Sequence, residues 1–82
     1  MADVVIDAKG LNCPLPILKA RKALKALPLD ATLEVLATDP GSVADFQAFC
    51  RETGHALLAW SEENGVFSFV IRRRAEDAED KD

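Results

Sequence analysis

The residue best suited to chemistry is Cys13, in the run Leu11-Asn12-Cys13-Pro14-Leu15-Pro16-Ile17. Gly10 precedes it, and a helix-like pattern continues from Ile17. Proline is tolerated in the first turn of a helix, where amides have no intrahelical partner. Pro14 is therefore the expected first helical residue and Cys13 the expected N-cap. Pro16 lacks an N–H, which leaves the Leu15 amide as the donor a capping sulfur would meet. A sulfur so placed lies at the positive end of the helix dipole, which favours thiolate over thiol. Thiolate is the nucleophile, and a free thiol has a pKa of ~8.5. The same residues also suit a helix start with a buried, inert cysteine, because cysteine is among the most buried residue types. Spacing alone leaves both readings open.

Other candidates read more simply. Cys50 shares a helical face with Val43, Phe46 and Phe49, so it is expected in the core. Cys13 and Cys50 are not spaced as a Cys-x-x-Cys redox pair. Together with the single His55 they form no standard zinc pattern, so neither a metal nor a cofactor is expected. His55 follows Gly54 and suits the C-terminal end of a helix; nothing in the sequence brings it to Cys13 as a base. Asp39 follows an expected strand. It would lie near the start of the first helix if the first two strands were parallel neighbours, or it simply forms the turn.

The elements that position these residues follow in order. Val4-Val5-Ile6 reads as a short buried strand stopped by Asp7-Ala8-Lys9-Gly10. A helix is expected from Pro14 to about Ala26, ended by Pro28. Ile17, Ala20, Ala23, Leu24 and Leu27 form its apolar face, with Lys19, Arg21, Lys22, Lys25 and Leu18 opposite. That basic face is either a solvated surface or a docking surface for an acidic partner, with Leu18 as its apolar contact. Thr32 to Thr38 alternates as a strand with Leu33, Val35 and Ala37 inward. Ser42 is the expected cap of a second helix from Val43 to about Thr53, and Asp45 gives a weak capping box. Gly54 ends that helix. A third strand from Ala56 to Ser61 carries Leu57, Leu58 and Trp60. Asn64-Gly65 then signals a hairpin into Val66–Arg72, with Phe67, Phe69 and Ile71 on one face. Arg72-Arg73-Arg74 reads as a solvated strand end.

The order strand–helix–strand–helix–strand–strand predicts an α/β two-layer sandwich: a four-stranded mixed sheet with both helices on one face. Strand order is not readable. In such folds, sites favour the C-terminal edge of the strands, where Cys13 would fall.

With 82 residues, one small domain is expected over residues 1–74. The net charge of −4 arises from residues 75–82, where Glu76, Asp77, Glu79, Asp80 and Asp82 outweigh Lys81. That acidic stretch is expected to be a disordered tail. The balance argues against direct nucleic-acid binding, which relies on Lys and Arg. No apolar run approaches the ~20 residues of a membrane helix. The start, Met1-Ala2-Asp3, lacks the pattern of a secretory signal. A cytoplasmic protein without a disulfide scaffold is expected.

The stretch from Asp7 to Pro16, with Arg21-Lys22, resembles the signature of the TusA/SirA family of small sulfur-carrier proteins, a Cys-Pro-x-Pro motif after a first strand and a Gly-Leu pair. Thr38-Asp39-Pro40, Phe49-Cys50 and Gly54-His55 extend the likeness over about residues 4–73. Asn12 stands where the family often has Arg, and Leu15 where its best-known member has Glu; both flank the sulfur that a partner would meet. The resemblance implies the same sandwich fold and a sulfurtransferase of the carrier type. Cys13 would hold a persulfide, supported by Gly10, Leu11, Asn12, Pro14, Leu15 and Pro16. Leu18, Lys19 and Lys22 would dock partners; the position of Asp39 near the sulfur rests on the strand pairing above, not on the resemblance. The implied partners are a protein donor, a cysteine desulfurase or a rhodanese-type enzyme, and a protein acceptor; the free chain would be a monomer. Family members serve tRNA thiolation, molybdenum-cofactor assembly or sulfur oxidation. The alternatives are a regulatory interaction module in which Cys13 only caps a helix, and a thiol redox sensor using Cys13 and Cys50.

Overall fold

The structure, a computed structural model, describes residues 2–74. The acidic stretch 75–82 lies outside the described residues. Six elements follow in chain order: β1 (Val4–Ala8), α1 (Leu15–Lys25), β2 (Thr32–Ala37), α2 (Ser42–Thr53), β3 (Ala56–Glu63) and β4 (Val66–Arg72).

The strands form a mixed sheet in the order β1-β2-β4-β3. β1 and β2 are parallel, joined through α1, with Val4 opposite Leu33 and Ala8 opposite Ala37. β4 runs antiparallel to both β2 and β3. The last strand is thus inserted between β2 and β3. α2 carries the chain from β2 across that position, and the hairpin then folds back into the gap. Asn64 and Gly65 make the turn with φ of 55° and 84°, the left-handed pair that matches the twist of a two-residue hairpin.

Strand alternation puts one face of the sheet into the core. Leu33, Val35 and Ala37 are fully buried, alternating with half-buried neighbours along β2. They oppose Ile71, Phe69 and Phe67 in register. Both helices cover this face. Ala20 and Leu24 from α1, and Phe46, Phe49 and Cys50 from α2, close the core, with Ala8 at the end of β1. Phe46 stacks on Phe69 with ring centroids 4.6 Å apart and meets Phe49 edge-on at 6.3 Å. The fold class expected from the order of elements is the one observed.

Several local expectations are corrected. Val4 and Val5 are 37% and 55% exposed, because β1 is an edge strand rather than a buried one. Leu58 and Trp60 are also exposed: β3 is the other edge, and a bulge between Leu57 and Ala59 breaks its alternation. Ser42 is not the cap of α2. Gly41 takes that position without a side-chain cap bond, and Ser42 is the first helical residue, buried, its Oγ without a partner. Nor is the Arg72–Arg74 segment simply solvated. Arg73 is half-buried, and its guanidinium donates to the Lys25 and Leu27 carbonyls at the C-terminus of α1, where a cation satisfies orphan acceptors. His55 is buried, its ring tilted 37° to that of Phe49 with centroids 5.9 Å apart, and its Nδ1 accepts the Arg74 amide.

Candidate functional site

β1 and β2 end side by side, Ala8 opposite Ala37. The loops that leave them, 9–14 and 38–41, therefore share the C-terminal edge of the parallel pair, and both helices start there. Gly10 turns the chain with a φ of +82°, a left-handed conformation that disfavours a side chain. Its amide donates to Thr38 Oγ1 at 2.9 Å, stitching one loop to the other. Leu11 packs on the core and its amide reaches back to the Ala8 carbonyl at 3.3 Å. These contacts anchor the base of the loop, while Asn12, Cys13 and Pro14 stand exposed at its crest.

Asp39 joins the two loops at the sulfur-bearing residue. Its Oδ2 accepts the Cys13 amide at 2.9 Å, its Oδ1 the Gly41 amide at 3.1 Å, and its carbonyl the Ser42 amide at 2.9 Å. The turn-forming and site-adjacent readings of Asp39 thus describe one residue that does both.

Helix α1 begins one residue later than expected. Pro14 is its cap (φ −100°, ψ 20°), and the Cys13–Pro14 peptide is cis. The Leu15 amide is taken by the Asn12 carbonyl at 2.8 Å, so the expectation that Cys13 caps the helix through its sulfur is overturned: a backbone acceptor occupies that donor. Pro16 is buried under the first turn, and Leu15 is 47% exposed.

The charge around Cys13 also differs from the expectation. The thiol is exposed, but its pKa is raised rather than lowered. The largest cause is a hydrogen bond to the Asp45 carboxylate, followed by desolvation and then the negative charges of Asp45 and Asp39. These acids come from the other loop and from the first turn of α2. The sequence signal for Asp45 was present, an acid three residues after Ser42, but it matched a capping box equally well. Cys50 is a different case: buried in the core, its thiol is pushed up to about 11 by desolvation.

The exposed side of α1 next to Cys13 carries Leu15, Leu18, Lys19 and Lys22, with Leu18 52% exposed. Arg21 departs from the expected basic face. It is half-buried, its guanidinium carbon 5.6 Å from the centre of the Phe49 ring. The structure thus brings together Gly10, Leu11, Asn12, Cys13, Pro14 and Asp39, sets the α1 stripe alongside, and keeps Cys50 in the core. The site presents one exposed sulfur on a loop fixed by backbone hydrogen bonds, with Asp39 on the Cys13 amide.

The family model described as Sulfurtransferase TusA matches residues 4–73. The chain belongs to the TusA family. It is 54% identical over 71 residues to a sulfur carrier protein TusA of Allochromatium vinosum, covering 87% of this chain and 93% of that one. It is 51% identical over 74 residues to a putative sulfur carrier protein of Neisseria meningitidis, covering 90% of this chain and all of the relative. A SirA-like protein from Desulfitobacterium hafniense has the same fold, with a TM-score of 0.76 at 27% identity over 88% of this chain and 99% of that one. The resemblance drawn from the Cys-Pro-x-Pro motif and the family membership agree. Among the described residues no helix is long and apolar enough to cross a membrane.

Proposed function

We propose that this chain is a sulfur carrier that relays sulfane sulfur as a persulfide on Cys13, taking it from a donor protein and giving it to an acceptor protein. The observation that supports this most is the exposed thiol of Cys13, at the crest of a loop held by Gly10, Leu11 and Asp39, within a chain of the TusA family. A relay of this kind needs an accessible sulfur and a docking surface more than a deep substrate pocket. The donor is of cysteine-desulfurase or rhodanese type. Leu15, Leu18, Lys19 and Lys22 form the docking stripe, an apolar pair followed by cations suited to an acidic rim. The free chain is a monomer working in the cytoplasm, where thiols stay reduced. Incubation with a cysteine desulfurase and ³⁵S-labelled cysteine should label the chain in a form released by reductant. A Cys13→Ser chain labelled to the same extent would overturn the reading. Lys19→Glu together with Lys22→Glu should slow labelling from the protein donor without slowing loading from inorganic polysulfide.

A further inference from the structure

The end of β4 is pinned to the C-terminal end of α1. The Arg73 amide donates to the Ala31 carbonyl at 2.9 Å, and the Arg73 carbonyl accepts the Asp30 amide at 2.6 Å. Its guanidinium donates to the Lys25 carbonyl at 3.2 Å and to that of Leu27, so a cation faces the acceptors of the helix end. Residues 75–82 therefore leave the fold beside the last turn of α1. They carry Glu76, Asp77, Glu79, Asp80 and Asp82 against Lys81. α1 has the opposite charge. Lys19, Lys22 and Lys25 are exposed along it, Arg21 adds a further cation, and no Asp or Glu lies between Leu15 and Lys25. α2 also ends close by, since the Arg74 amide reaches His55 Nδ1 at 3.3 Å, but there Arg51 is outweighed by Asp45 and Glu52. Length permits the contact with α1. At a rise of ~1.5 Å per residue, Lys22 and Lys19 lie roughly 4 and 9 Å from Lys25 along the helix axis. Glu79, six residues beyond Arg73, can extend up to ~20 Å from it.

We infer that the acidic stretch 75–82 lies back along α1 on Lys19 and Lys22, so that the chain covers its own docking stripe until a partner displaces it. This rests on the sulfur-carrier reading, in which the stripe receives the donor, and adds the regulation of that site. A segment tethered beside its binding surface acts there at an effective concentration on the order of mM. A few carboxylates on a passing protein do not outcompete it. A true partner must exceed the stretch in negative charge or add what the stretch lacks. Residues 75–82 contain no large apolar side chain, whereas Leu15 and Leu18 stand 47% and 52% exposed beside the lysines. A partner with an acidic rim and an apolar centre gains both contacts, and a merely acidic one gains nothing the chain does not already supply. The contact joins exposed charges, so salt weakens it: the screening length falls from ~10 Å at 0.1 M to ~3 Å at 1 M.

The test is zero-length coupling of the full chain by a carbodiimide, which joins a carboxylate to a lysine Nζ only where the two meet. At high dilution and low salt, peptide mass spectrometry should find residues 75–82 joined to Lys19 or Lys22 of the same chain. Lys9 and Asp7, 3.8 Å apart, provide the coupling that marks a working reaction. With that pair joined, a stretch coupled to Lys25 alone, to a second copy, or to nothing on α1 would overturn the inference. The second arm replaces the acids by amides: Glu76→Gln, Asp77→Asn, Glu79→Gln, Asp80→Asn and Asp82→Asn together. Sulfur loading from a cysteine desulfurase should become several-fold faster at low salt, the two chains should converge in ~1 M salt, and loading from inorganic polysulfide should not change. A desulfurase rate that stays the same or falls, or equal acceleration from both sources, would also overturn it. A chain that couples 75–82 to Lys22 yet takes up sulfur from neither source would sink the carrier reading and leave this contact standing.

Discussion

At Cys13 two local fields oppose each other. The start of α1 favours a sulfur anion, whereas the Asp45 carboxylate, desolvation and the Asp39 charge raise the thiol pKa. The sign for pH follows. A group whose acid form is stabilised needs a higher pH to ionise, so Cys13 alkylation should still be rising above the ordinary thiol range of ~8.5. A plateau already reached by neutral pH would contradict this. Cys50 carries the stability consequence. Its folded pKa of about 11 lies above the unfolded value, so its contribution is complete below the unfolded pKa and is lost as pH rises through about 11. Cys50→Ala should lower stability near neutrality but flatten the alkaline decline in denaturant titrations, and it should leave sulfur loading intact. The exposed cysteine and the buried one were distinguishable in the sequence from the motif and from helical spacing. The protonation state of Cys13 was not, because Asp39 and Asp45 are distant in sequence and act only once β1 and β2 are paired.

Among the elements, α2 shows how a local pattern is overridden. Ser42 and Asp45 fit a capping box, yet Gly41 caps the helix and the Ser42 hydroxyl is buried without a partner. A true cap would cost about 1 kcal/mol on removal. Ser42→Ala should instead be neutral or stabilising, since it removes a polar atom from an apolar setting, as chemical denaturation would reveal. Asp39 has the opposite character. Its carboxylate holds the Cys13 and Gly41 amides, so Asp39→Ala should cost about 1–3 kcal/mol and loosen the loop that presents the sulfur. Loss of amide protection at Cys13 in hydrogen exchange is the matching readout. The starts of both helices were legible to within a residue, α1 from its prolines and α2 from Ser42 after the Asp39-Pro40-Gly41 break. Which residue capped each was not, because the winning acceptors, the Asn12 carbonyl for Leu15 and the Asp39 carbonyl for Ser42, are backbone groups.

Over the whole molecule, the site exists because a parallel strand pair and two helix starts meet at one edge, and the core fixes that meeting. Alternation in β2 and β4 and the helical faces of α1 and α2 made the buried set readable before the fold was known, and Leu33, Val35, Phe46 and Phe69 are indeed fully buried. Strand order was not readable: β4 enters between β2 and β3, a choice made by packing across the sheet rather than by any short segment. Phe46 stacks on Phe69 at the centre, so Phe46→Ala should cost about 3–5 kcal/mol, a large share of the 5–15 kcal/mol typical of a domain. Its unfolding midpoint in denaturant should fall accordingly, and sulfur loading should fail with it. The most direct measurement is peptide-level mass spectrometry of the chain after incubation with a cysteine desulfurase and cysteine. One added sulfur, removable by reductant, should be found on the peptide containing Cys13 and not on the one containing Cys50. Sulfur located on Cys50, or absent from both while the desulfurase is itself loaded, would contradict Cys13 as the atom that carries it.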